Sequence, residues 1–158
     1  MPPQSLFDMS KIDLDRILVD KDGVYSVNPH RHEFALLDGF CHLDLEAQEM
    51  AAWIDMKDDA FWVRGHIPGR PLFPGVLMIE AAAQMIGYFA KVYTRTDGFI
   101  GFGAVTDVKF RGQVSCGDRL LLIGKMQEIR GTRRAVGAAQ GYVNGSMVFE
   151  GCVTGMMI

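Results

Sequence analysis

Cysteine is scarce in this chain. Cys41, Cys116 and Cys152 are the only three in 158 residues, odd in number and far apart, which argues against a disulfide framework and reads as free thiols of a reducing compartment. No CxxC pair or Cys/His cluster has ligand spacing, so no metal is expected. Neither sign of charge dominates. With 16 Lys plus Arg against 19 Asp plus Glu, the net charge of −3 is unsuited to holding nucleic acid phosphates. Long apolar runs are missing too: the longest, Phe73 to Ala90, is interrupted by Glu80 and Gln84 and falls short of the ~20 residues that cross a bilayer. The N-terminal residues have no basic start followed by an apolar run, so no membrane span and a cytoplasmic location are expected. What is present, 49% hydrophobic and 22% charged residues, describes one globular domain large enough for its own core.

Proline is also sparse, and its distribution is informative. Three of the six stand within RGHIPGRPLFPG, Arg64 to Gly75, beside three glycines. Such a segment is neither a helix interior nor a central strand and must be a fixed loop. Pro74 suits the first position of a helix, and Val76 to about Tyr93 reads as one, apolar on nearly every side and therefore buried. Upstream, Ser10 is placed to cap a short helix from Lys11 to Val19, and Asp22-Gly23 marks a turn. Residues 1–28 are read as a docking extension and 29–158 as a single domain. Glu33 to Leu45 and Glu49 to Met56 read as strands. The C-terminal half then switches to period two, with strands predicted over Gly101–Phe110, Asp118–Ile129, Arg133–Val143 and Met147–Met156. Asn144-Gly145 suits a type I′ hairpin. A meander of about four strands, one or two earlier strands and one apolar helix imply an α+β fold, an antiparallel sheet of five to six strands curved round the helix.

Candidate chemistry gathers where the loop meets the helix. Glu80 and Gln84 lie four residues apart, which puts a carboxyl group and an amide on one face of an apolar helix. A buried carboxylate must be paired, protonated or met by a substrate, and a structural role is as good a reading of Glu80 alone. His66 stands in the stiff loop before the helix; with a buried carboxyl nearby the two resemble an acid/base pair. His30 and His32 lack that setting and are read as structural or surface residues. The free N–H groups of Gly75 and Val76 at the helix start suit an oxyanion.

These residues carry a family resemblance. FWVRGHIPGRPLFPGVLMIEAAAQMIGY, Phe61 to Tyr88, closely resembles the signature of the FabZ-type 3-hydroxyacyl-[acyl-carrier-protein] dehydratases, as do PHRHEFALLDG from Pro29 and VKFRGQVSCGDRL from Val108. The resemblance implies a hotdog fold, a homodimer or trimer of dimers, and an active site shared between subunits, with His66 from one and Glu80 from the other. It implies Gly75 as the backbone oxyanion donor and the Leu72 carbonyl as the group that orients the histidine ring. The implied substrate is a 3-hydroxyacyl chain linked through phosphopantetheine to acyl carrier protein, the product a trans-2-enoyl thioester, and no cofactor is called for. On that reading His66 takes the C2 proton, Glu80, its pKa raised by apolar surroundings, protonates the departing hydroxyl, and Gln84 orients Glu80. Arg64, Arg70, Lys109, Arg111, Arg133 and Arg134 are candidates for a basic rim facing the acidic carrier. Ile67, His32, Gly39 and Cys116 depart from the family's usual residues without removing a group the reaction needs. The alternatives are another hotdog enzyme, a thioesterase or enoyl-CoA hydratase, and a catalytically silent acyl-binding subunit.

Overall fold

A computed structural model describes residues 3–157. Seven strands form one antiparallel sheet: β1 Val19–Asp20, β2 Gly39–Asp44, β3 Glu49–Asp55, β4 Ile100–Phe110, β5 Arg119–Arg130, β6 Arg134–Val143 and β7 Ser146–Met157. Two helices, α1 Lys21–Tyr25 and α2 Gly75–Thr94, complete the main elements. The strand order is β1-β2-β3-β5-β6-β7-β4. The sheet therefore curves round α2 as the period-two pattern implies, with β1 the strand beyond the predicted six.

Helix α2 is held by the spacing of its apolar residues. Met78, Ala81, Ala82, Met85, Ile86 and Phe89 recur at three- and four-residue intervals and are buried against the sheet. Pro74 stands at its N-cap and Gly75 is its first residue, one position from where the sequence placed them. Although 20 residues of this hydropathy could by length and composition cross a bilayer, α2 is the packed centre of the fold.

Strand β5 shows why one core is not the whole molecule. Its Leu120 and Leu122 face α2, while Leu121 and Ile123 point to the opposite face of the sheet. That outer face is covered by the N-terminal segment: Phe7 and Ile12 pack over Trp53, Leu121, Ile123 and Tyr142. Gln140, buried on the sheet, accepts the Leu6 N–H at 3.0 Å and donates to the Gln4 carbonyl at 2.9 Å. Lys11 approaches buried Glu49 at 3.4 Å, with Lys125 on the other carboxylate oxygen at 3.3 Å.

Four sequence expectations are corrected. No helix spans Lys11–Val19; a single 3-10 turn covers Met9–Lys11, capped by Asp8, not Ser10. Asp22-Gly23 lies inside α1, capped by the Asp20 side chain, because Val24 and Tyr25 must turn into the core. The strand predicted over Glu33–Leu45 begins only at Gly39, after a 3-10 turn at His32–Phe34. The last four strands are not a simple meander: β4 pairs with β7 at the sheet edge, and the chain crosses back to place β5 beside β3. The Asn144-Gly145 hairpin is as read, with φ of 49° and 80° at its two central residues.

Candidate active site

The loop is fixed before any ligand arrives. Ile67 and Arg70 exchange backbone hydrogen bonds, 3.2 Å and 2.8 Å, around Pro68-Gly69. Proline supplies the first central residue of that turn, and Gly69, at φ 79°, the second, where a side chain would be strained. The bridge extends to His66 and Leu72. Leu72 donates its N–H to the His66 carbonyl at 2.8 Å, and its own carbonyl lies 2.8 Å from His66 Nδ1. A carbonyl only accepts, so Nδ1 carries the hydrogen and a neutral ring leaves Nε2 as an open base. His66 is exposed at the surface of the chain.

At the start of α2, Leu77 N–H bonds the Pro74 carbonyl at 2.9 Å. The N–H groups of Gly75 and Val76 have no protein acceptor among the described residues. They present the positive end of the helix dipole to whatever approaches.

Glu80 sits in a different setting. Gln84 Nε2 donates to Glu80 Oε1 at 2.9 Å and to the Phe34 carbonyl at 2.7 Å. Gln84 Oε1 in turn accepts the Tyr25 hydroxyl at 2.7 Å, and that hydroxyl accepts the Leu37 N–H at 2.8 Å. The Gln84 side chain thus has its amide and carbonyl assigned by fixed partners, and Glu80 is held through it. Burial pushes the Tyr25 hydroxyl well above the usual phenol range and keeps it a neutral donor.

His30 is the residue that sequence reasoning missed. Read as structural or surface, it instead places Nε2 at 3.3 Å from Glu80 Oε1, while its Nδ1 is buried without a partner. Fifty residues separate the two in sequence, and the one available signal was its place in PHRHEF. Its presence also reverses an expectation. The Glu80 carboxyl lies below, not above, the usual carboxylate range: the His30 hydrogen bond is the largest cause, Gln84 adds to it, and partial burial opposes them without prevailing.

A cavity of about 190 Å³ opens between α2 and the β4–β7 edge, with Glu80, His30 and Gln84 at one end and walls from Ala83, Gly87 and Ile86. His66, Leu72, Gly75 and Val76 do not line it. Helix geometry explains the separation: five residues from Gly75 to Glu80 turn about 140° and rise about 7.5 Å, so the two point to different sides of α2. One chain therefore brings His66 together with Leu72, and Glu80 with Gln84 and His30, but does not place the two groups in one cavity.

Residues 28–152 match the FabA-like domain. Over 139 residues the chain is 32% identical to 3-hydroxyacyl-[acyl-carrier-protein] dehydratase FabZ of Bacillus pumilus, covering 87% of this chain and 94% of that protein. The FabZ of Thiobacillus denitrificans is 34% identical over 137 residues, covering 84% and 92%. The chain belongs to the FabZ-type dehydratase family. Solved structures extend the likeness of fold at low identity. The dehydratase heterocomplex ApeI:P of Xenorhabdus doucetiae superposes with a TM-score of 0.73 at 14% identity, over 85% of this chain and 90% of that one. Cj0977 of Campylobacter jejuni does so at 0.66 and 15%, over 93% and 96%. This FabZ-type chain therefore has the hotdog fold, and among its described residues no group of three or more His, Cys, Asp or Glu side chains forms a metal site.

Proposed function

We propose that the protein removes water from 3-hydroxyacyl thioesters carried by acyl carrier protein, giving trans-2-enoyl thioesters for fatty acid or related lipid synthesis in the cytoplasm. The observation that carries this reading is the His66 ring, its Nδ1 tied to the Leu72 carbonyl at 2.8 Å so that Nε2 is free to take a proton. His66 of one protomer takes the C2 proton, and the C2–H electrons become the C2=C3 bond as the C3–O bond breaks. The leaving hydroxyl takes a proton from the partner's Glu80 and departs as water. Gly75 and Val76 N–H groups meet the negative charge that grows on the thioester oxygen.

A carboxyl held below the ordinary range keeps little of its own proton near neutrality, so Glu80 needs a donor behind it. His30, at 3.3 Å, is that donor: the two groups act as one acid, Glu80 facing the substrate and His30 refilling it. Gln84 fixes the carboxylate oxygen that is not free to wander.

The exposed groups support a site shared between two protomers. β4 is an edge strand whose apolar residues Phe102, Val105 and Phe110 are exposed, as is Val76 of α2, and the Phe110 ring at the end of the strand lies against Gly75 at the start of α2. A second copy paired along that edge closes the sheet edge and brings an exposed His66 to a cavity that holds Glu80. A trimer of such dimers is compatible with this pairing. Arg64 and Arg70, both exposed, flank His66 in the loop and are the basic groups offered to an acidic carrier protein.

The test is a thioester assay with purified protein and 3-hydroxyacyl and enoyl chains on phosphopantetheine carriers. Reversible change at the enoyl absorbance, without free thiol, is the expected result. Thiol release would make the protein a thioesterase, and no turnover on any chain length would make it a binding subunit.

A further inference from the structure

The cavity that begins at Glu80 ends at an unexpected group. Glu80, Gln84, Gly87 and Lys91 form one stripe of α2, and Lys91 lines the far end of the cavity beside Phe99 and Ile100. Five polar or charged side chains are buried among the described residues: Asn28, Glu49, Gln84, Lys91 and Gln140. The packing of the fold accounts for four. Glu49 meets two lysines, Gln140 the N-terminal segment, Gln84 the Glu80 network, and Asn28 Nδ2 the Gln84 carbonyl at 2.9 Å. Lys91 differs. Its ammonium has three N–H donors and one acceptor, the Val27 carbonyl at 2.9 Å, and it forms no ion pair among the described residues. Asn28 and Thr154 are the other polar side chains of the lining near it, and Phe99, Ile100, Phe102 and Ala135 make the remainder apolar, a setting in which an ammonium short of acceptors is costly.

An unbranched hydrocarbon chain gives a cation nothing to bind, whereas a carboxylate supplies the missing acceptors and the opposite charge. We propose that Lys91 makes this cavity a reader of the acyl terminus, and that the preferred substrates carry a carboxylate at the end remote from the thioester. The inference rests on the dehydratase reading of the Glu80 end. Length follows from the helix: eleven residues from Glu80 to Lys91 span about 16 Å, and both side chains lean toward the helix N-terminus, which largely preserves that separation. The nine bonds from C3 to C12 of an extended chain cover roughly 10–11 Å, and a hydrogen bond of about 2.8 Å at each end, C3 hydroxyl to Glu80 and far carboxylate to Lys91, makes up the rest, so a chain of about twelve carbons bridges the two.

The experiment uses the full-length protein with two twelve-carbon 3-hydroxyacyl carrier substrates, one ending in methyl and one in carboxylate. Wild type is expected to favour the carboxylate by about 10-fold or more in kcat/KM, the scale of one partly buried charge-assisted hydrogen bond. Lys91→Met is expected to reverse the preference by raising KM for the carboxylate substrate alone, and Lys91→Arg to keep it. Equal losses on both substrates would show that Lys91 only anchors the Val27 carbonyl, and a wild-type preference for methyl would also overturn the proposal. A second readout requires neither turnover nor a folded variant: thermal shift of wild type with dodecanoic acid against 1-dodecanol, which has no carboxylate. A larger shift with the acid supports the role of Lys91 even if neither thioester reacts, an outcome that would count against the dehydratase reading instead. A shift with the alcohol as large or larger overturns the Lys91 proposal.

Discussion

At the scale of single residues, the proposed chemistry depends on how hydrogen bonds assign protons. His66→Ala and Glu80→Gln are each expected to lower turnover by about 100-fold or more while leaving the circular dichroism spectrum unchanged. His30→Asn separates the paired acid from a lone carboxyl. Without the imidazole, the proton must reside on Glu80 itself, whose acid form becomes scarce as pH rises above the carboxylate range. The kcat optimum should therefore move to lower pH with KM little changed; an unmoved optimum would remove His30 from the proton path. Tyr25→Phe leaves the Leu37 N–H and the Gln84 carbonyl without their shared partner, and a loss of about 1–3 kcal/mol in denaturant unfolding is expected. The sequence made some of this legible. Glu80 and Gln84 are one helical turn apart, and local geometry alone brings them together. His30 reaches Glu80 only through the packing of α1 and the following loop, contacts that no local pattern encodes, and so the direction of the Glu80 shift was unreadable as well.

The elements divide in the same way. Period two located β4 to β7 to within a residue or so because both strand ends are marked by glycine or charged turns. It did not reveal that β4 crosses to the far edge, since alternation identifies a strand and not its neighbour. The N-terminal segment was misread for a physical reason. Leu6, Phe7 and Ile12 are apolar because they cover the outer face of β3, β5 and β6, and an irregular strap needs no helical period to do so. Strand β5 held the clue: Leu120 to Ile123 is apolar at every position, which only a strand covered on both faces requires. Removing residues 1–12 should uncover Trp53, Leu121, Ile123 and Tyr142 and strip Gln140 of two partners. A lower melting temperature and increased binding of a hydrophobic dye are expected. An unchanged melting curve would show the strap to be dispensable.

For the molecule as a whole, the separation between the two halves of the candidate site matters most. One chain holds its base outside on a stiff loop and its carboxyl inside a cavity, on different sides of the same helix. The fold presents an apolar sheet edge where a second copy would join them. Production of differently tagged His66→Ala and Glu80→Gln chains, with isolation of the mixed dimer, tests that claim directly. One of its two sites then has both wild-type groups and the other has neither. Enoyl formation at about half the wild-type rate per dimer, far above either parent variant, is the predicted result. Activity no higher than that of the parents, in dimers verified to contain both chains, would contradict a site built from two protomers.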